Sequence, residues 1–560
     1  MTISMPDAAS TVRIAVAQLN PVLGDIQGNL ALARETLRTA AGEGADILVF
    51  SELFISGYPP EDLVLKHAFT DACRAAVEAL AAETTADGPA VLIGTPWRDD
   101  GKLYNAVACL DAGAVTALRY KVALPNYGVF DEMRVFASGP LPGPISVRGV
   151  RVGVPICEDI WVEDVVECLA ETGAEILIVP NGSPYDQLKA DTRMQVAVAR
   201  VVESGLPMIY VNQLGGQDEL VFDGASFGLN ADRSLGFQLP QFEEAVVALD
   251  WRREGEEWRC VDGPIHALPE IDEANWRACV FGLKDYVNKN GFPGVVLGLS
   301  GGIDSAICAA MAVDALGPER VHAIMLPYRY TSPDSIADAA EVAGLLGLRY
   351  DTVPIAPGVE GIGTSLAPLF AGREPDVTEE NVQSRVRGTI LMAVSNKFGA
   401  MVVTTGNKSE VSVGYSTLYG DMNGGFNPIK DLYKTEVYRL SAWRNAHRPP
   451  DALGPDGVVI PERVITKAPT AELRENQTDQ DSLPPYDELD AILTGLVEEE
   501  LSVAEIVARG FDVEVVRRIE RLLYLAEYKR RQAAPGVKIS RRNFGRDRRY
   551  PITNKFRDRT

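Results

Sequence analysis

The apolar and polar positions in the first half of the chain fall into two kinds of run. "RIAVAQL" (13–19), "ADILVFSE" (45–52), "PAVLIGTP" (89–96), "GVRVGVPICED" (149–159), "EILIVPN" (175–181) and "PMIYVNQ" (207–213) are short, β-branched and strand-sized. Between them, 28–42, 62–82 and 187–204 carry apolar residues at helical spacing, with Ala, Arg and Glu frequent. The alternation predicts a layered α/β domain. It closes with "EEAVVALDWRREGEEWRC", read as a strand followed by a charged stretch.

At 262–273 the text changes to "DGPIHALPEIDE", a linker signal, and a second α/β pattern begins. A helix at 274–290 leads to the strand "GVVLGLS", a glycine turn and a helix from Asp304 to Ala315. The strand "VHAIMLP", a helix at 333–346, the strand "RYDTVPI", a long helix at 378–398 and the strand "AMVVTTGN" follow. Apolar strands alternating with helices predict a doubly wound parallel sheet, whose ligands bind at the carboxyl ends of the strands. Residues 448–485 read as loop, and helical patterns return over 486–530.

A chain of 560 residues is too long for one core. Hydrophobic content of 46% and charged content of 24% are those of a soluble globular protein. The first twenty residues lack the basic flank and apolar run of a signal peptide, and no apolar run is long enough to span a membrane. Seven cysteines lie scattered without a CxxC pair, which fits a reducing cytoplasm. Four histidines, none near another in sequence, do not suggest a multi-histidine metal site. A net charge of −24 argues against nucleic-acid binding. From Lys529 to Thr560, however, twelve Lys/Arg stand against two Asp. Two readings of this segment are open: a solvated tail, or a basic segment folding over phosphates.

The strongest local signal is "LGLSGGIDSA" (297–306), which follows an apolar strand and opens a helix. Its glycines permit a tight turn, and backbone N–H groups converge with Ser300 and Ser305 at a helix N-terminus, a geometry that holds an anion. It is not a Walker loop, because GxxxxGK[ST] is absent. The string resembles the SGGxDS pyrophosphate loop of the N-type ATP pyrophosphatases, which activate an oxygen by adenylation. That resemblance implies ATP contacts from Leu299, Ser300, Gly301, Gly302, Asp304 and Ser305.

Residues 380–437, with "ENVQSRVRGTILMAV", "TTGNKSEV" and "YGDMNGGFNPIKDLYKTEV", resemble the heart of the NAD synthetases within that class. The likeness implies Thr405, Lys434 and Thr470 at ATP, and Asn381, Arg385, Glu410 and Lys529 at deamido-NAD. It also implies Mg²⁺ held by Asp304 and Glu410, acidic oxygen ligands of the type Mg²⁺ takes together with phosphates. Tyr528 stands where the family has His, and Leu418 where ammonia-only members often carry Lys.

In "VGVPICEDIW" a cysteine, Cys157, directly precedes Glu158 and Asp159. Neighbouring negative charge disfavours a thiolate, so Cys157 is either a small buried residue or is reversed by a cation from elsewhere. With "FSELFISGYPPEDL" (50–63) and "RYKVALPNYGVFDE" (119–132), this string resembles the nitrilase superfamily. The resemblance implies a catalytic Glu52, Lys121 and Cys157, with Glu132 in support, and glutamine contacts from Tyr127, Ser183 and Lys189. A Lys ammonium about 4 Å from a thiolate is worth roughly 4 kcal/mol at an effective dielectric of 20, or about three pK units. On extended chain Glu158 and Asp159 would face opposite sides, so Lys121 is expected to outweigh them and lower the thiol pKa.

Together these features predict an α/β chain of two domains. Residues 12–262 are expected to form an αββα nitrilase-like sandwich and 270–560 a doubly wound ATP pyrophosphatase domain. The resemblances imply a carbon–nitrogen ligase that uses glutamine, ATP and deamido-NAD, assembles as a homo-oligomer and passes ammonia along an enclosed path. The alternatives are another glutamine amidotransferase of the ATP pyrophosphatase class, or a dinucleotide-binding regulatory protein with dead sites. A Cys–His–Glu glutaminase finds no support in the sequence, and Thr2 occupies the place of an N-terminal nucleophilic cysteine.

Overall fold

The computed structural model describes residues 10–558. Contacts divide the chain into two units: the first runs to Gln217 and resumes over Val221–Pro269, and the second comprises Asp218–Leu220 and the chain from Glu270 onward.

The first unit is built on two facing sheets. One has seven strands in the order Glu257–Val261, Ala245–Glu254, Thr11–Gln18, Ile47–Val49, Ala90–Asp99, Lys102–Asp111, Ala114–Tyr120. The other has six, in the order Leu235–Gln238, Phe227–Leu229, Met208–Asn212, Ile176–Asn181, Val150–Gly153, Ile145–Val147. Side chains alternate across a strand with period two, and here both faces are apolar. Val12, Ile14, Val16, Val49 and Leu92 of the first sheet meet Val152, Ile176, Ile178, Ile209 and Val211 of the second. Ala15, Ala17, Leu48 and Ile93 turn the other way, onto helices Ile26–Gly42 and His67–Ala81. Leu177, Val179, Met208 and Tyr210 turn onto helices Glu163–Glu171 and Lys189–Ser204. The result is the expected αββα sandwich. Helix Ile26–Gly42 begins where the Asp25 carboxylate accepts the Gly28 N–H, and it buries Leu30, Ala33, Leu37 and Ala40 at helical spacing.

Two local expectations fail. The charged stretch after "AVVALDW" continues that strand to Glu254, turns, and returns as the second strand of a hairpin, Glu257–Val261, where Arg253 pairs with Trp258 and Arg252 with Arg259. The strand expected over 149–159 stops at Gly153, and Cys157–Ile160 forms a 3₁₀ turn.

The second unit holds a four-stranded parallel sheet in the order Arg349–Thr352, Val321–Met325, Val295–Gly298, Met401–Val402. The chain goes outward from Val295–Gly298 to one side, then returns to the other side with Met401–Val402. That reversal is the topological switch point of a doubly wound sheet. Helix Ile303–Leu316 is buried along almost its whole length, as its run of Ala, Ile, Met and Val requires. Helices Tyr486–Val497, Val503–Ala508 and Val513–Leu525 share a core with Val411 and Val413. The region read as loop, 448–485, includes a short helix, Glu462–Thr466. The basic C-terminal segment is not simply solvated: Arg530 and Arg548 are buried against Glu527, and Lys538 against Asp547.

Candidate active sites

In the first unit, three strand ends bring the expected triad together. Lys121 directly follows strand Ala114–Tyr120, and its N–H donates to the Asn105 carbonyl at 2.8 Å. Its fully buried ammonium donates to Glu52 Oε1 at 2.6 Å and to Glu132 Oε1 at 2.8 Å. Glu52 Oε1 also accepts from Asn105 Nδ2 at 2.7 Å, and Oε2 from the Gly182 N–H at 2.9 Å. Tyr58 donates its hydroxyl to Glu132 at 2.8 Å. Burial alone would push the Lys121 pKa down, but Glu132 and Glu52 reverse this and hold it well above the usual lysine range. Burial pushes the Glu132 carboxyl up to about 7.

Two backbone positions are strained to make this site. Leu53, beside Glu52, and Cys157 both have a φ of +48°. A non-glycine residue held there costs on the order of 1–3 kcal/mol, so the surrounding structure must impose it. Gly94 permits the Glu52 turn: a Cβ there would lie 2.2 Å from Leu53 N. Cys157 is buried and opens the 3₁₀ turn. Asp159 is removed from the thiol by accepting the N–H groups of Val122, Ala123 and Ile156. Glu158 accepts from Tyr127 Oη at 2.9 Å.

The expected electrostatics of Cys157 are corrected by this geometry. Burial, then Glu52, push the thiol pKa well up, and Lys121 opposes them without prevailing. Lys121 faces two carboxylates, so the three-residue cluster carries one net negative charge and has no positive charge to spare. Burial and Glu52 thus favour the protonated thiol of Cys157 over the thiolate.

The expected glutamine contacts surround this turn. Ser183 Oγ accepts from Arg193 Nε at 3.0 Å, and Lys189 opens helix Lys189–Ser204 with its ammonium 4.7 Å from the Trp161 ring centre. Tyr127 is 51% exposed. Arg193, Asn105 and Tyr58 were not foreseen. Arg193 ion-pairs with Asp223 at 2.8 Å and donates to the carbonyls of Ser183 and Pro184. Its signal was in the spacing, since Lys189, Arg193 and Ala197 stack at intervals of four on one helix face.

In the second unit a pocket opens at the carboxyl end of strand Val295–Gly298. Leu299, Ser300, Gly302, Asp304, Ser305, Thr405, Glu410, Lys434 and Thr470 line it. Gly301 does not line it; at φ +82° it is pressed so closely on Ser335 that a Cβ would meet the Ser335 carbonyl oxygen at 2.2 Å. Ser300 N–H and the Gly302 carbonyl both engage Ser305 Oγ, fixing the loop. Asn407 caps helix Lys408–Val413 and donates to Asp304 Oδ1 at 2.9 Å. Lys434 donates to Asp304 Oδ2 and to Glu410 Oε1. Burial pushes the Glu410 carboxyl up to about 8, with Lys434 opposing. Two converging carboxylates and no third acidic, His or Cys ligand among the described residues suit an ion that takes its remaining ligands from phosphates and water, as Mg²⁺ does.

Asn381, Arg385 and Lys529 are not among the pocket-lining residues. All three hold the loop beside it: Asn381 Oδ1 accepts from Thr417 Oγ1, Arg385 Nε donates to the Leu418 carbonyl, and Lys529 donates to the carbonyls of Gly414 and Ser416. Arg387, not foreseen, does line the pocket, with no ion-pair partner among the described residues and a pKa lowered to about 10 by burial.

Comparison with known proteins finds a family match for each unit. Residues 13–259 match the carbon–nitrogen hydrolase family and 275–533 the NAD synthase family. The chain is 54% identical to the glutamine-dependent NAD(+) synthetase of Rhodobacter capsulatus, over 98% of this chain and 99% of that one. It is 44% identical to the enzyme of that name from Thermotoga maritima, over 98% and 99%. The structure of the glutamine-dependent NAD(+) synthetase from Acinetobacter baumannii in complex with ADP superposes with a TM-score of 0.77 at 42% identity, covering 97% of this chain and 99% of that one. With a carbon–nitrogen hydrolase unit and an NAD synthase unit joined in one chain that is similar to these relatives from end to end, the protein belongs to the glutamine-dependent NAD(+) synthetases.

Proposed function

We propose that the first unit hydrolyses glutamine and that the second uses the ammonia to amidate deamido-NAD at the expense of ATP. The observation that carries the first half is the Glu52–Lys121–Glu132 cluster beside a strained Cys157. Glu52 takes the Cys157 proton as sulfur attacks the amide carbon of glutamine. The Lys121 ammonium and the Glu158 N–H stabilise the tetrahedral oxyanion. Glu52 returns the proton to the departing ammonia, then activates water to cleave the thioester and release glutamate. Lys189 faces the substrate carboxylate, and Ser183, oriented by Arg193, and Tyr127 place the rest.

In the second unit the loop over Ser300–Ser305 cradles the ATP phosphates, with Thr405, Thr470 and Lys434 completing the site. The nicotinate carboxylate attacks the α-phosphorus and pyrophosphate leaves. Ammonia then attacks the acyl adenylate, and AMP leaves. Asp304 and Glu410 would hold Mg²⁺, which supplies charge neutralisation for the phosphates. Arg387, half-buried in the pocket lining and without an ion-pair partner among the described residues, is suited to an anionic group of either substrate. The loop braced by Asn381, Arg385 and Lys529 borders the deamido-NAD region.

Helices Ala356–Leu366 and Val377–Phe398 pack together yet expose Ile362, Val377, Met392 and Phe398, with Leu369 and Phe370 between them. This face supports assembly with a second copy. Sedimentation of the wild type and a Val377→Asp variant tests it. All seven cysteines are free thiols, consistent with the cytoplasm. The function is tested by supplying glutamine labelled in its amide nitrogen. NAD carrying the label, with one AMP and one pyrophosphate each, supports it; unlabelled NAD or none overturns it.

A further inference from the structure

Lys434 opens helix Lys434–Ala446, and its side chain is almost wholly buried. Its ammonium lies between Asp304 Oδ2 and Glu410 Oε1, the latter at 3.3 Å. The remaining Asp304 oxygen is engaged by Asn407 at 2.9 Å. The Tyr486 ring lies 5.3 Å from the ammonium, and the Lys434 N–H donates to Ser409 Oγ at 2.9 Å. One ammonium therefore fills the space between two carboxylates on different elements. Under the reading above, those same oxygens receive the divalent ion. An ammonium and a dication cannot share them, because like charges repel and Mg²⁺ demands close, well-directed oxygen ligands.

We propose that Lys434 is a resident counter-cation which holds Asp304 and Glu410 in register without metal, and which the divalent ion displaces only when ATP phosphates are present to receive it. This rests on the assignment of Asp304 and Glu410 as metal ligands. The lysine stem is long and flexible, and the phosphate loop, Ser300 to Ser305, lines the same pocket. Metal alone must drive a buried ammonium away from its anions with nothing to pair it again. With ATP bound, the ammonium exchanges carboxylates for phosphates, and the dication takes the carboxylates. Metal and nucleotide thus enter as a thermodynamically coupled pair, each raising the other's affinity by the same factor. A lysine that served only as a phosphate ligand would have no influence on metal binding in the absence of nucleotide.

The test is direct binding of Mn²⁺ to the full chain, without deamido-NAD, with and without ATP, measured by equilibrium dialysis as the metal held on the protein side in excess of a protein-free control with the same Mn²⁺ and ATP. The wild type should bind Mn²⁺ at least tenfold more weakly without ATP than with it. Lys434→Met and the smaller Lys434→Gln should gain at least tenfold in Mn²⁺ affinity without ATP, while Lys434→Arg stays as wild type. Mn²⁺ alone should raise the melting temperature of the two neutral variants and not that of the wild type, which checks that the variants are folded. No gain in either neutral variant, while Glu410→Gln abolishes Mn²⁺ binding in the presence of ATP, overturns the exchange and leaves the metal ligands standing. Mn²⁺ binding with ATP that survives Glu410→Gln unchanged overturns the ligand assignment and the exchange with it.

Discussion

Glu52 and Glu132 grip the same ammonium: Lys121 Nζ lies 2.6 Å from one carboxylate and 2.8 Å from the other, in a site closed to solvent. Two anions and one cation leave the cluster with a net negative charge, and burial then favours uptake of a proton. Glu132 is accordingly pushed up to about 7. A proton shared by the cluster competes with the one Glu52 must accept from Cys157. We predict that kcat/KM for glutamine hydrolysis falls below pH 7, and that Glu132→Gln moves this limb to lower pH while lowering the rate at least tenfold. A limb unmoved in the variant assigns it to another group. The same shift has a sign for stability. The folded protein keeps this proton up to about 7, and the unfolded chain releases it near 4.5, so stability from this carboxyl is full below 4.5 and declines as pH rises to 7.

Gly94 tests how narrowly the base is positioned. A Cβ would enter the backbone of the Glu52–Leu53 turn, 2.2 Å from Leu53 N. Gly94→Ala should destabilise the first unit by about 1–3 kcal/mol through overpacking. It should also cut glutamine-driven NAD formation at least tenfold, with ammonium-driven formation unchanged. Equal rates with glutamine in variant and wild type would show that the turn tolerates displacement.

Arg193 holds Ser183 from its side chain and its carbonyl at once, using the planar fork that lysine lacks. Arg193→Lys should therefore raise KM for glutamine at least tenfold and change kcat less. A fall in kcat alone would place the residue in the chemistry rather than in binding.

How far the sequence disclosed these sites depends on what each residue answers to. The paired sheets were legible because Val, Ile and Leu recur wherever a strand is covered on both faces, as in "AVLIG" and "ILIV". Cys157 was legible as a candidate, but its local geometry was not. "VGVPICED" has the composition of a continuous strand, and only the fold turns it into a 3₁₀ turn at positive φ. The charge balance was misjudged for a related reason. Lys121 was weighed only against Glu158 and Asp159, the sequence neighbours of Cys157, whereas Glu52 and Glu132 hold its ammonium in the fold. Asn105, a lone amide in the apolar strand "LYNAVACL", was the available hint of a buried polar cluster. Arg387 lay two residues beyond the Arg385 on which the family string drew attention.

Under the proposed reading Asp304 and Glu410 act in the second unit only. Asp304→Asn and Glu410→Gln keep size and remove the charge that Mg²⁺ favours. Each should abolish NAD formation with either nitrogen source and leave basal glutamine cleavage in place. Normal synthesis by either variant at ordinary Mg²⁺ would make its carboxylate dispensable.

The central claim is that one chain makes ammonia at Cys157 and spends it at a separate ATP-dependent site. The most direct measurement is NAD formation by Cys157→Ala, assayed in parallel with glutamine and with an ammonium salt as nitrogen source. Removing the thiol removes the nucleophile for glutamine and touches nothing in the pocket around Asp304, Glu410 and Lys434. The account predicts synthesis from glutamine below a thousandth of the wild-type rate (~10³, the scale set by loss of an essential nucleophile), with synthesis from ammonium at the wild-type rate. Continued use of glutamine by the variant, or loss of synthesis from ammonium by a variant that melts like the wild type, would contradict it.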